Sequence, residues 1–236
     1  MTINMTSEDK QFLANYKVEK YDRPSVAIDV VMLCLNEFFE LMVLATKRTE
    51  PPFKDKLQLP GGFVDINKDL DTQVKDIVKA KTGFNTNVIS FEQLYTYGKV
   101  DRDPRTRVIS VTYFAILPQN ALYNENLCDH NYGWVYATGP LVPPLAFDHN
   151  DILNDAIKRI ANKIDYTDLA FDFLKSKSHF TLFELKQVYE AFSDHDIDLA
   201  NFRRDILKRY KDKFELLEGI ESTDYSKRPS KVYKIK

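Results

Sequence analysis

The sequence predicts a mixed α/β domain, with a helix against a sheet, joined to a small C-terminal domain of three helices and a hairpin. Three observations carry that expectation. Runs rich in β-branched and aliphatic residues alternate with helical spacing through the first two thirds of the chain. The last third changes to short amphipathic segments, and its charge turns basic. With 236 residues, 44% of them apolar, the chain is long enough for two modest domains of ordinary composition. They are placed at 1–164 and 165–236.

In the first domain, residues 26–35 form an apolar strand-like run, and 41–47 follow after a polar-aromatic turn, which reads as a hairpin entering a buried sheet. Pro51-Pro52 breaks the chain and Pro60-Gly61-Gly62 reads as a tight turn. Leu70, Val74, Ile77 and Val78 then recur at helical spacing up to a stop at Gly83. Strand-like runs return at 91–97, 108–117 and 134–136. Asp148 is positioned to cap a helix carrying Ile152, Ala156, Ile157 and Ile160. His149, just inside that helix, is expected to pack or hydrogen-bond, because no nucleophile or metal cluster accompanies it. The same expectation covers His130, His179 and His195.

In the second domain, residues 169–174 suggest a first short helix. Thr181 stands three residues before Glu184, a capping box, with Leu182, Leu185, Val188, Tyr189 and Phe192 forming an apolar face behind it. In 199–211, Phe202, Ile206 and Leu207 take the packing side of a third, basic helix. Residues 214–217 and the alternating 231–236 bracket a polar loop as a hairpin should. Helix, helix, basic helix and hairpin is the order of a winged helix-turn-helix, whose third helix enters the major groove while the hairpin tip follows the backbone. Contacts to DNA are therefore assigned to Asn201, Arg203, Arg204 and Lys208 on the helix, and to Lys227, Arg228 and Lys231 at the tip. The charge agrees: 201–236 holds 11 Lys or Arg against 6 Asp or Glu, an excess of +5 that leaves −7 for the first 200 residues of a chain whose net charge is −2.

No stretch approaches the roughly 18 apolar residues of a membrane span, and 1–20 lacks an apolar signal core, so a cytoplasmic location with no membrane partner is expected. Cys34 lies in an apolar run and Cys128 in a polar loop, which offers neither a metal-ligand pattern nor a disulfide framework. Arg102, Arg105 and Arg107 crowd one short segment. Guanidinium groups grip phosphate without metal, so this segment is a candidate anion site, with a rigid surface turn around Asp103-Pro104 as the alternative. Gly61 and Gly62 either let backbone approach a ligand or serve a turn with positive φ.

The chain resembles the Nudix-related transcriptional regulators. The likeness is carried by Leu59-Pro60-Gly61-Gly62-Phe63-Val64, Glu92-Gln93-Leu94-Tyr95-Thr96-Tyr97-Gly98, Asp101-Arg102-Asp103-Pro104-Arg105, Pro144-Leu145-Ala146-Phe147-Asp148-His149, Phe180-Thr181-Leu182-Phe183-Glu184-Leu185 and Phe202-Arg203-Arg204. It implies a Nudix-like α/β/α sandwich followed by a small winged helix-turn-helix domain, in a homodimeric repressor that reads a palindromic double-stranded DNA operator. It also implies a small-molecule effector, ADP-ribose or another product of NAD turnover, or a sugar such as arabinose.

Laid on Gly62 and Gly83, the Nudix box fits without gaps, and its four glutamate positions read Lys68, Ile77, Ala80 and Lys81 while its arginine position reads Asp76. Residues 77, 80 and 81 share one helix face, here apolar with a single cation. Magnesium needs hard oxygen ligands in fixed geometry, so neither Mg²⁺ nor any catalytic residue is expected, and no cofactor is required. Asp69, Asp71 and Asp76 read as capping and solvated groups. Lys68 and Lys81 would instead offer fixed positive charge to a diphosphate. The effector set is thus Gly61, Gly62, Lys68, Lys81, Arg102, Arg105 and Arg107. The alternative is a Nudix hydrolase of a nucleoside diphosphate derivative with an accessory C-terminal domain.

Overall fold

The computed structural model describes residues 5–123, 132–193, 195–225 and 228–236. Lys227, Cys128 and His130 lie outside them.

Strand β1 (Ser25–Leu35) is apolar on both faces, and the reason is its place in the middle of a seven-stranded sheet. It pairs antiparallel with β2 (Leu41–Lys47), parallel with β6 (Val108–Ile116), and antiparallel with the short β4 (Gly61–Phe63). The main path runs β3-β2-β1-β6-β5, with β3 at Leu57–Gln58 and β5 at Glu92–Tyr97, and β7 (Tyr132–Tyr136) pairs with β2. Alternate residues of β1 point to opposite faces. Ile28, Val30, Met32 and Cys34 pack with Val74, Ile77 and Val78 of helix α2 (Leu70–Thr82). Val31, Leu33 and Leu35 pack with Ile152, Leu153, Ala156 and Ile160 of α3 (His149–Lys163). The result is an α/β/α sandwich. Helix α2 starts at Asp69, whose carboxylate accepts from Thr72 N at 2.7 Å, and stops at Gly83 in the left-handed region, φ 69°.

A helix α1 (Ser7–Ala14), opened by a Thr6/Asp9 capping box, precedes the strand-like run at 26–35, the first element the sequence predicts, and it buries none of its residues. Without an apolar stripe to a core it leaves no periodic signal.

The C-terminal unit has a five-residue 3₁₀ turn (Leu169–Phe173) where a first helix is predicted, then β8 (Phe180–Thr181), α4 (Leu182–Glu190), α5 (Leu199–Arg209), β9 (Phe214–Ser222) and β10 (Ser230–Ile235). The predicted capping box of α4 is present: Glu184 N donates to Thr181 Oγ1 at 3.2 Å, and Thr181 N donates back to Glu184 Oε2 at 2.7 Å. Strand β8, two residues long, extends the expected hairpin to a sheet ordered β8-β10-β9. Phe214 anchors its core, with ring centroids 5.3 Å from Tyr210, 5.4 Å from Phe180 and 5.5 Å from Phe171.

The two units are packed together. The apolar cluster beneath α3 runs on through Phe173 and Leu174 into the winged domain, and Tyr189 Oη donates to Ile164 O at 3.2 Å. At the turn between β1 and β2, Phe39, φ 60°, meets Phe183 of α4 and Tyr225 of the wing loop, with centroids 6.1 and 5.4 Å away.

Candidate effector pocket and nucleic-acid surface

Residues 61–63 pair with β1 as strand β4, so Gly61 and Gly62 are extended rather than in a tight turn with positive φ, which corrects the turn expected there. The need for glycine is a close approach. A Cβ on Gly61 would lie 2.4 Å from Asp29 Oδ1 and 2.7 Å from Ile28 O. A Cβ on Gly62 would make only ordinary contact, 3.6 Å from Ile77 Cδ1.

Asp29 is the buried acid that this packing protects. Its Oδ2 accepts from Ser110 Oγ at 2.6 Å and from Arg102 Nη2 at 3.2 Å, and its Oδ1 lies 3.6 Å from His149 Nε2. His149 Nδ1 accepts from Leu59 N at 2.9 Å, which assigns the proton of the neutral ring to Nε2, facing Asp29. Burial pushes the imidazole pKa down, against the pull of Asp29 and Asp148, so the ring is a neutral strut as predicted for a hydrogen-bonding histidine. Arg102 completes the group, with Nε to Asp148 Oδ2 at 2.8 Å and Nη2 to Asp148 Oδ1 at 2.7 Å. Asp148 therefore starts α3 without a side-chain cap, because its carboxylate is committed to Arg102. That is a correction to the capping role expected of it.

A cavity of about 190 Å³ opens over this network and is lined by Gly61, Gly62, Lys81, Arg102 and Arg105 among the residues assigned to an effector. Lys68 and Arg107 are not among its lining residues. Lys68 Nζ pairs with Asp76 Oδ2 at 2.5 Å, and Arg107 Nη1 donates to Lys99 O at 2.9 Å. Arg105 is held flat by Asp103, at 3.0 and 2.7 Å, with its guanidinium 5.5 Å from the Phe63 ring and 5.7 Å from that of Phe147. The hydrogen bond from Arg105 keeps the Asp103 carboxyl below its ordinary pKa.

Arg48 also lines this cavity, and no sequence pattern singles it out. It lies 4.8 Å from the Phe147 ring on its own approach, and it donates to Pro52 O at 2.7 Å, Glu50 O at 3.2 Å and Gln58 Oε1 at 2.6 Å. Phe147 and Phe53 touch edge to face at 4.9 Å, and both have positive φ, 57° and 61°. Bulky residues avoid that region, so the surrounding contacts hold this aromatic wall in place.

The helix face that would carry the acids of a Nudix box holds Ile77, Ala80 and one cation, Lys81. Ile77 is buried with Val74 and Val78 against β1, and among the described residues no three His, Cys, Asp or Glu side chains could hold a metal ion. A larger cavity of about 760 Å³ lies between the two units, lined by Phe114, Leu117, Leu169 and Leu174. That cavity also holds Glu92, Asp172, Lys175 and Lys177, with Glu92, Asp172 and Lys177 in ion pairs, whereas the smaller one gathers Arg48, Lys81, Arg102 and Arg105 and is the better candidate for an anion.

On the other unit, α5 turns Phe202 and Ile206 inward and leaves Asn201, Arg203, Arg204 and Lys208 exposed. Among the described residues Arg204 pairs with the similarly exposed Asp205, at 3.0 Å, a contact weak enough for phosphate to displace. Arg228 and Lys231 are exposed at the hairpin.

Residues 170–235 match the profile of the NrtR DNA-binding winged helix domain. The whole chain is 31% identical to the ADPR responsive transcriptional repressor NtrR of Acinetobacter baylyi, over 100% of this chain and 91% of that one. The chain belongs to the NrtR family. NrtR of Shewanella oneidensis, solved with a 27mer DNA, superposes with a TM-score of 0.74 at 28% identity, covering 89% of this chain and 93% of the other. The Nudix domain of that NrtR, solved with ADP ribose, gives 0.55 at 28% identity over 66% of this chain and 99% of the other. An ADP-ribose pyrophosphatase of Methanocaldococcus jannaschii is 32% identical over 63% of this chain and 81% of its own length. Membership of the NrtR family makes this chain a transcriptional regulator with a Nudix-like domain and a DNA-binding winged domain. No helix among the described residues is long and apolar enough to cross a membrane.

Proposed function

We propose that this protein is a homodimeric repressor in the cytoplasm whose Nudix-like domain, 1–164, binds ADP-ribose, and whose winged domain, 165–236, is thereby released from its operator. Arg105, Lys81 and the glycine strand are the effector contacts. Asn201, Arg203, Arg204, Lys208, Arg228 and Lys231 are the DNA contacts, and Lys227, outside the described residues, is proposed with them because it precedes Arg228 in the sequence. Support for the effector comes from the ADP ribose complex of the related Nudix domain and the name of the Acinetobacter baylyi relative. Support for the operator comes from the related DNA complex.

The observation that carries the reading against hydrolysis is Ile77, which takes a glutamate position of the box and is buried under Gly62 instead of presenting an acid. Lys81 takes the next such position on the same face. A magnesium ion has no carboxylate to meet there, so ADP-ribose is bound and not cleaved. The likeness to a pyrophosphatase favours the rival hydrolase. Incubation of the protein with ADP-ribose and Mg²⁺ or Mn²⁺, read for AMP, separates the two: intact ligand is expected, and chelator-sensitive AMP formation overturns the reading.

A further inference from the structure

A second cavity, of about 360 Å³, adjoins the first, and the two share three lining residues: Arg48, Gln58 and Lys81. The shared wall is therefore cationic. Most other positive charge nearby is already matched by acid: Arg102 by Asp29 and Asp148, Arg105 by Asp103, Lys47 by Asp55 at 3.0 Å. Arg48 is different. Its three hydrogen bonds go to two carbonyls and a carboxamide, all neutral, and among the described residues neither Arg48 nor Lys81 forms a salt bridge with a carboxylate. Glu50, on the second cavity, offers Arg48 its backbone oxygen.

We infer that Arg48 and Lys81 form an anion seat at the junction of the two cavities, built for a diphosphate that carries a substituent at each end, one lodged in either cavity. The inference rests on the effector reading above and names its central contact. Guanidinium and ammonium groups left without an acid partner are the charges an incoming phosphate can claim without breaking an existing pair. The bonds of Arg48 to the loop 50–58 fix the direction of its fork, so the seat is rigid before the ligand arrives. Burial and repulsion from Arg105 lower the Arg48 pKa, with Asp103 opposing, which is the electrostatic surplus a dianion relieves. Phe147, stacked on Arg48 and Arg105, keeps the two guanidinium groups on one aromatic platform inside the first cavity. The Lys81 charge stands on the helix face where the Nudix box would place metal-binding acids, with Arg48 facing the same junction from the end of β2, and no metal is needed for them to act.

The test is calorimetric titration of the full-length protein in EDTA with ADP-ribose, ADP, AMP and inorganic pyrophosphate. ADP-ribose, substituted at both ends, is expected to bind most tightly, and Lys81→Gln and Arg48→Gln each to weaken that binding about tenfold or more. Lys79→Gln, an exposed cation of α2 outside both cavities, is expected to leave it unchanged. Because Arg48 also ties its loop together, Lys81→Gln decides if Arg48→Gln lowers the melting temperature. Equal ADP-ribose affinity in wild type and Lys81→Gln, or ADP binding as tightly as ADP-ribose, overturns the inference. If the wild type ignores ADP-ribose but binds pyrophosphate through Arg48 and Lys81, the seat stands and the effector reading fails. If it binds neither, both fail.

Discussion

Arg102 and Asp148 form an enclosed two-pronged ion pair, 2.8 and 2.7 Å long, that ties the arginine-rich loop to the first residue before α3. The Arg102 side chain is only 4% exposed. It is a structural brace, with both of its acidic partners buried or nearly so.

Replacing Arg102 by Met leaves Asp29 and Asp148 without their cation. Unpaired buried charge costs about 3–5 kcal/mol, so the urea midpoint should fall sharply, well beyond the change from Arg107→Met on the surface. Equal midpoints for the two variants contradict the brace.

His149 sets a pH dependence. Its folded pKa is depressed, so below the unfolded value of about 6.5 the unfolded chain binds a proton that the native state refuses. Stability from this group is complete above that pH and declines as pH drops through it. The melting temperature of wild type should fall between pH 7 and 5, and the fall should be smaller in His149→Gln, which can still accept from Leu59 N. Parallel curves would show that another group is responsible.

Arg203→Ala and Arg204→Ala should each weaken DNA binding and flatten its salt dependence, by roughly 0.9 in the log–log slope for each phosphate that the variant leaves unneutralised. Gel-shift titrations at several salt concentrations measure this. Unaltered slopes would move the DNA-binding surface off α5.

The fold is legible in the sequence where burial is periodic. Strand β1 with its two apolar faces, α2 ending at Gly83, and the Thr181–Glu184 capping box are all local patterns. Helix α1 and the two-residue β8 are not legible, because one buries nothing and the other exists only through its pairing with β10. The site divides in the same way. A crowded arginine segment points to charge, but which guanidinium is neutralised depends on Asp29 and Asp148, 73 and 46 residues away in sequence. Arg48 is one of two adjacent cations ahead of a proline pair, and only the return of 58 and 147 beside it reveals its place. Gly61 reads as a turn because the acid it must clear is on another strand.

Phe39 links the two halves of the molecule. Strand β2 runs from the Phe39 turn, which touches Tyr225 and Phe183, to Arg48 at the pocket, so one element reaches both the wing and the effector site. Phe39→Ala should keep DNA affinity and ADP-ribose affinity within a few-fold while ADP-ribose releases DNA less completely, since coupling requires an interaction that differs between the two states. Full release by the variant, followed by fluorescence anisotropy, would place the coupling elsewhere.

The most direct measurement is an anisotropy titration of ADP-ribose into the full-length protein bound to DNA from its own upstream region, in EDTA, with the nucleotide assayed afterwards. Release of the DNA with ADP-ribose recovered intact is the expected result. DNA that stays bound at saturating ADP-ribose, or release that requires Mg²⁺ and leaves AMP behind, contradicts a receptor that senses without cleaving.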